Sequence, residues 1–157
     1  MNHFWPLVIA FLLSLMACKS SQEAAVPSTI PEDFQLILTR SGCKGRCPSY
    51  VLFVDREGNV AYEGQMFVPN VGQFTKTISS KEVKAIYEAI EAADFWEREA
   101  RYDDPNIMDL PTSSLEVRKS GTTHKVVCRF NVPQEMVDLM TAIDTIVGEN
   151  GFKEVKK

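Results

Sequence analysis

Short segments in the first half of the chain alternate apolar and polar residues, which is the pattern of half-buried β-strands. In residues 34–40, Phe34, Leu36 and Leu38 share one face, and Ile37 is the one apolar residue opposite them. Residues 49–54 form a second segment, dense in aromatic and β-branched side chains. Both segments therefore predict strands.

A polar turn separates the second segment from a third. Gly58 and Asn59 close residues 55–59, and both tolerate the positive φ that tight hairpins demand. Residues 60–63 are therefore predicted to return antiparallel to the second strand. A fourth strand is predicted from residue 72 or 73 to residue 78.

Ser79 and Glu82 predict the start of a helix. The Ser79 hydroxyl can accept a hydrogen bond from the Glu82 amide, and the Glu82 carboxylate can reach back to residue 79, which is a capping box. Apolar residues then recur at helical spacing up to about Ala93: Val83, Ile86, Tyr87 and Ile90.

A hairpin and a second helix complete the pattern. Residues 113–119 and 122–130 flank Ser120-Gly121, and a two-residue loop would pair Leu115 with Val126, Val117 with His124, and Ser113 with Cys128. Pro133 suits the first position of a helix that ends near Gly148, with an apolar stripe of Met136, Met140, Ile143 and Val147. The predicted class is α+β: an antiparallel sheet, in the order β-β-β-β-α-β-β-α, with two helices packed on one face.

Composition supports a packed domain and argues against one class of partner. The chain has 157 residues, 45% of them hydrophobic and 24% charged, with a net charge of −4. These are ordinary globular values for one domain with additional segments. No stretch has the basic character that phosphate backbones require, so nucleic-acid binding is not expected.

The N-terminus predicts export and a lipid anchor. Residues 7–17 are apolar except for Ser14, too few for a membrane-spanning helix but typical of a signal peptide. The following Leu15-Met16-Ala17-Cys18 resembles the lipobox of bacterial lipoproteins, which implies acylation of Cys18. Met16 is larger than usual there, and residues 1–6 offer no Lys or Arg. The alternatives are an ordinary secretory signal with an incidental cysteine, or an uncleaved anchor.

These features divide the chain into three segments. Residues 1–17 are the predicted signal peptide, residues 18–33 a polar, proline-containing tether, and residues 34–157 a single α+β domain. Lys19 is not the Asp-type signal that retains lipoproteins in the inner membrane. The expected location is therefore the cell envelope, with the outer membrane favoured.

Cys43 and Cys47 are candidates for a disulfide. They lie in a glycine-containing turn between two predicted strands, and an exported protein meets oxidising conditions. Pro48 biases Cys47 away from helix. The alternative is a thiol redox pair, although its spacing differs from that of thioredoxin-like motifs.

Cys128 and His124 share the last predicted strand. Cys128 is expected to be a buried free thiol. The alternative is a zinc site in which Cys128 and His124 join Cys43 and Cys47, which gives enough nitrogen and sulfur ligands. Such a site would lack a second pair of closely spaced ligands, and disulfide formation would compete with it. His124 is the one histidine of the mature chain, and no nucleophile motif accompanies it. We therefore expect no metal, no cofactor and no catalytic residue.

The acidic loop after the first helix is a second candidate site. Tyr102, Asp103 and Asp109 are candidate ligand-facing residues, but the oxygen-ligand spacing of a calcium loop is missing. Pro105 and Pro111 favour a solvated, shaped loop, and a weak cation or ligand site is the alternative.

A longer motif resembles a known family. The segment Cys43-Lys44-Gly45-Arg46-Cys47-Pro48-Ser49-Tyr50, followed by Gly58 and Val60-Ala61-Tyr62-Glu63-Gly64, resembles the bacterial lipoproteins and secreted proteins of domain of unknown function 6438. The loop at residues 109–112 is similar to the family's loop before its final hairpin. The resemblance covers residues 34–147 and implies no established activity.

The expected function is a lipid-anchored, non-enzymatic binding or scaffolding module of the envelope. Its expected partners are the membrane, through Cys18, and an envelope protein or small ligand. The alternative is a periplasmic enzyme or thiol redox factor that uses Cys43 and Cys47 or the acidic loop, Asp103 to Asp109. An enzyme needs titratable groups that converge in a cleft, whereas a binding module needs an exposed apolar or aromatic patch.

Overall fold

The computed structural model describes residues 30–156. The predicted signal peptide, Cys18 and most of the predicted tether lie outside the described residues. Within the described range, neither helix has the length and apolar character needed to span a membrane.

The described residues form two α-helices, one short 3₁₀-helix and eight strands. The helices are α1 (Ser80–Ala92) and α2 (Gln134–Val147), and the 3₁₀-helix is Phe95–Glu97. The strands are β1 (Gln35–Arg40), β2 (Ser49–Asp55), β3 (Asn59–Met66), β4 (Gly72–Thr77), β5 (Arg101–Tyr102), β6 (Ser113–Lys119), β7 (Thr122–Cys128) and β8 (Lys153–Glu154).

All eight strands belong to one open sheet, in the order β5-β7-β6-β1-β2-β3-β4-β8. Every neighbouring pair is antiparallel except β5 and β7, which are parallel. The α+β class is confirmed. The predicted order is wrong in detail, because it lacks β5 and β8. Each of these strands has only two residues, too short to produce an alternating pattern.

One face of the sheet carries the core. Leu36 and Leu38 of β1 are fully buried between paired residues of β2 and β6, and the buried stripes of α1 and α2 belong to the same cluster. The two helices also contact each other, a detail that the predicted packing did not include. Ile30 is 1% exposed, so the packed chain begins before the predicted domain start at Phe34.

Two local features predicted from the sequence are confirmed: the start of α1 and the hairpin of β6 and β7. Ser79 and Glu82 make both hydrogen bonds of the capping box at the start of α1. The turn at Ser120-Gly121 gives the predicted register, with Leu115 opposite Val126. Both residues of this turn have positive φ, the conformation of tight hairpins.

The tail after α2 folds back along the sheet. Gly148 has a φ of 65°, and the chain then runs to β8, which pairs with Phe74 and Thr75 of β4. The ammonium of Lys76 donates to the carbonyl of Gly148 at 3.2 Å and to that of Asn150 at 3.0 Å. Lys76 thereby fixes the tail against β4.

A candidate ligand-binding cleft

A cleft of about 470 Å³ opens between the sheet and the tail. The ends of β1, β2 and β3 form its floor, and α2 and the tail form one wall. The loop between β3 and β4, which includes residues 67–70, forms the opposite wall. Its volume lies within the range of small-molecule sites, which are concave and mostly apolar.

Four aromatic side chains contribute to the lining of this cleft: Tyr50, Tyr62, Phe67 and Phe152. The ring of Tyr62 lies 5.4 Å from that of Tyr50 and 5.1 Å from that of Phe152, between centroids. Phe67 lies at the mouth and is 53% exposed. Because Tyr62 comes from the sheet and Phe152 from the tail, the cleft forms only when the tail is in place.

A polar network closes the floor of the cleft. The Arg40 guanidinium donates to Asp144 Oδ2 at 2.7 Å, to the Tyr50 hydroxyl at 2.9 Å and to Ser113 Oγ at 3.2 Å. The Tyr50 hydroxyl in turn donates to Asp144 Oδ1. Burial, together with this hydrogen bond to Asp144, raises the pKa of Tyr50 well above its ordinary value. The network therefore joins α2 to three strands and keeps Tyr50 protonated.

The loop wall depends on a glycine. A Cβ atom on Gly64 would lie 1.8 Å from the Asn70 carbonyl oxygen and 2.9 Å from a Val68 methyl carbon. Phe67 has a φ of 54°, a conformation that non-glycine residues rarely adopt. Gly64 therefore lets the loop lie directly on β3, which places Phe67 at the mouth.

Two polar groups in the cleft remain available to a ligand. The Tyr62 hydroxyl and the Glu149 carboxylate make no hydrogen bond or ion pair with other described residues. Burial raises the pKa of Tyr62, and the charges of Glu149 and Asp144 raise it further. The negative charges of Glu149 and Asp144 therefore both favour the protonated form of the Tyr62 hydroxyl.

The disulfide loop borders the cleft. The sulfurs of Cys43 and Cys47 are at disulfide distance, with Cα atoms 5.6 Å apart, and the adjacent Pro48 lines the cleft. Lys44, in the same loop, forms an ion pair with Asp109 at 2.7 Å. The cysteine loop therefore reaches the cleft through Pro48 and the acidic loop through Lys44.

We predict that Cys43 and Cys47 are bonded in the purified protein and that Cys128 is a protected thiol. Cys128 is 4% exposed, and burial raises the pKa of its thiol to about 11. Alkylation followed by peptide mapping should label Cys128 only after denaturation, and the other two only after reduction. Reduction should lower the melting temperature without abolishing the fold, because closing so small a loop contributes about 2 kcal/mol. A bond from Cys128 to either partner would contradict this pairing.

The acidic loop lies outside the cleft. Asp103 accepts a hydrogen bond from Arg129 at 2.7 Å, and this bond holds the pKa of Asp103 below its ordinary value. Tyr102 belongs to β5, and its hydroxyl accepts from the Glu99 amide at 3.2 Å. Asp109 is exposed and is bound to Lys44. The structure thus gives these three candidate residues separate intramolecular partners.

His124 lies apart from the cysteines. Its ring packs edge-on against Phe95, 5.2 Å between centroids, and its Nε2 lies 3.0 Å from the Arg98 carbonyl oxygen. Among residues 30–156, no three His, Cys, Asp or Glu side chains are grouped so that they could hold a metal ion. Cys43, Cys47, Cys128 and His124 are therefore not assembled into one site.

Most of the cleft residues were missed by the sequence analysis. Arg40 and Asp144 are 104 positions apart, and Phe152 follows the last predicted element. One signal was available, because Pro48, Tyr50 and Tyr62 belong to the family-like motif and all three line the cleft. A second signal was Arg40, which ends the apolar face of its strand and pairs with Tyr50 on the neighbouring strand.

Two comparisons with known proteins bear on this chain. The family model described as Domain of unknown function (DUF6438) matches residues 34–147. No curated protein matches the chain at a significant level.

Proposed function

The chain belongs to the family described as Domain of unknown function (DUF6438), and from this premise we propose that it is a lipid-anchored envelope protein that binds a ligand in the aromatic cleft. In this proposal the domain is a non-enzymatic binding module, and Cys18 carries the lipid. The observation that carries the binding role is that Pro48, Tyr50 and Tyr62, which belong to one motif, line one cleft.

The anchor is supported by the N-terminal sequence. An apolar segment at residues 7–17 leads directly to Ala17-Cys18, and a polar segment follows. One acyl chain holds a protein to a membrane only reversibly, whereas two or more anchor it firmly. Such an anchor would hold the cleft near the membrane surface, with the outer membrane as the favoured location.

The binding role is supported by the chemistry of the cleft. Its four aromatic rings offer an apolar surface, and the Tyr62 hydroxyl and Glu149 carboxylate offer hydrogen-bonding groups that have no partner among residues 30–156. Pockets of this kind bind ligands through apolar walls and orient them through a few polar groups. The Arg40–Asp144 network fixes the floor and reduces the cost of ordering the site on binding.

We predict that Cys18 is acylated. Metabolic labelling with a fatty-acid probe should mark the wild-type protein and leave Cys18→Ser unlabelled, because the thiol is the acceptor. Cys128→Ser should retain the label, which controls for the loss of a cysteine as such. Equal labelling of Cys18→Ser, or no labelling of either protein, would refute the anchor.

We predict that small ligands of the cleft are lost when its aromatic wall is removed. Ligand-observed NMR with a fragment library and the purified mature protein should give hits that Tyr62→Leu weakens by about tenfold. Phe53→Leu is the matched control, since Phe53 lies on the neighbouring strand and its side chain is on the opposite face of the sheet. Hits that respond equally to both variants would show that the cleft is not the binding site.

A further inference from the structure

The cleft has a negative charge that nothing in the described structure neutralises. Arg40, Asp144 and Glu149 are its charged lining residues. The positive charge of Arg40 is compensated by Asp144 at 2.7 Å. Glu149 is exposed and forms no ion pair within residues 30–156. One carboxylate therefore remains at the mouth of an aromatic pocket.

Lys76, on the neighbouring strand β4, directs its charge to the tail backbone and not to Glu149. The ammonium of Lys76 donates to the backbone carbonyls of Val147, Gly148 and Asn150, at the end of α2. These bonds direct its charge towards the helix terminus, where the backbone carries partial negative charge. Lys76 thus stabilises the tail and forms no ion pair with Glu149 within residues 30–156.

The aromatic rings, like the Glu149 carboxylate, favour a positively charged ligand. The face of an aromatic ring is electronegative and attracts cations, with tyrosine and phenylalanine both effective. Tyr50, Tyr62, Phe67 and Phe152 supply four rings to the lining. The cluster already holds one cation in this way, because Lys76 Nζ lies 4.6 Å from the centroid of the Phe152 ring. An anion would meet both the ring faces and the Glu149 carboxylate.

We propose that the ligand of the cleft is an organic cation, in which a substituted ammonium group is carried on a small apolar body. The apolar body packs against Tyr50 and Tyr62, and the ammonium group lies near the Glu149 carboxylate. This inference rests on the proposed function, since it names the ligand class of the same cleft.

The test compares choline with 3,3-dimethylbutan-1-ol, its uncharged isostere. Calorimetric titration of the purified mature protein at low salt should show choline binding about tenfold more tightly than the alcohol. Glu149→Gln should remove most of this preference. Glu154→Gln should retain it, because Glu154 is an exposed carboxylate of the same tail that does not line the cleft.

The outcomes separate the ligand class from the binding role. Equal affinity for choline and the alcohol, or a preference that Glu149→Gln leaves intact, overturns the cationic ligand while the cleft remains a binding site. Binding of neither compound also overturns it, and the fragment experiment with Tyr62→Leu then decides the proposed function separately. Tighter binding of glycerophosphocholine than of choline would support the cation and assign it to a lipid headgroup, and weaker binding would assign it to a free molecule.

Discussion

Replacing Ile143 with Asp should leave the protein unfolded at 25 °C. Ile143 is fully buried in the middle of α2, among the core residues of both helices and the sheet. An unpaired carboxylate there costs several kcal/mol, and the lost apolar packing adds to this cost. A domain of this size has a total stability of about 5–15 kcal/mol. Circular dichroism should therefore show no cooperative thermal transition.

Val137→Asp provides the matched control on the same helix. Val137 is also β-branched, but it is 40% exposed and lies in the first turn of α2, where a negative charge interacts favourably with the helix dipole. Its melting temperature should stay close to that of the wild type. A cooperative transition of Ile143→Asp within a few degrees of the wild type would contradict the assigned buried face of α2.

Gly64→Ala should destabilise the domain and distort the cleft together. The added methyl group would lie 1.8 Å from the Asn70 carbonyl oxygen, a backbone atom, so the loop between β3 and β4 must move. Overpacking of this kind costs about 2–3 kcal/mol, which lowers the melting temperature by roughly 10 °C. Because the loop carries Phe67, any ligand of the cleft should also bind more weakly.

Gly45→Ala is the corresponding control within the same motif. A Cβ at Gly45 would meet only the Cys43 sulfur, at an ordinary distance of 3.6 Å. Its melting temperature should therefore change by no more than about 2 °C. If Gly64→Ala were as stable as Gly45→Ala, the loop would not lie on β3 as described.

Elements with strong local signals could be predicted from the sequence. The capping box at Ser79 and the spacing of apolar residues after it locate α1. The two-residue turn at Ser120-Gly121 fixes the register of β6 and β7 residue by residue, because turn length determines pairing. These signals act over a few positions and need no knowledge of the rest of the fold.

The short strands and the cleft depend on long-range contacts. β5 and β8 exist because the chain passes beside β7 and β4, and their own residues have no strand pattern. Arg40, which is partly buried, ends a strand whose buried residues are apolar, and only the fold brings Asp144 to it. Phe152 follows α2 in a stretch whose path is determined by Gly148 and by the bonds of Lys76.

The tail also protects an edge of the sheet. β4 would otherwise present unpaired backbone groups at the end of the sheet, which is a template for strand pairing between molecules. β8 pairs with Phe74 and Thr75, and the Val155 amide donates to the Gln73 carbonyl at 2.9 Å. The segment that completes the cleft with Phe152 thus also covers this edge, so one substitution in the tail can open the cleft and expose backbone groups that favour self-association.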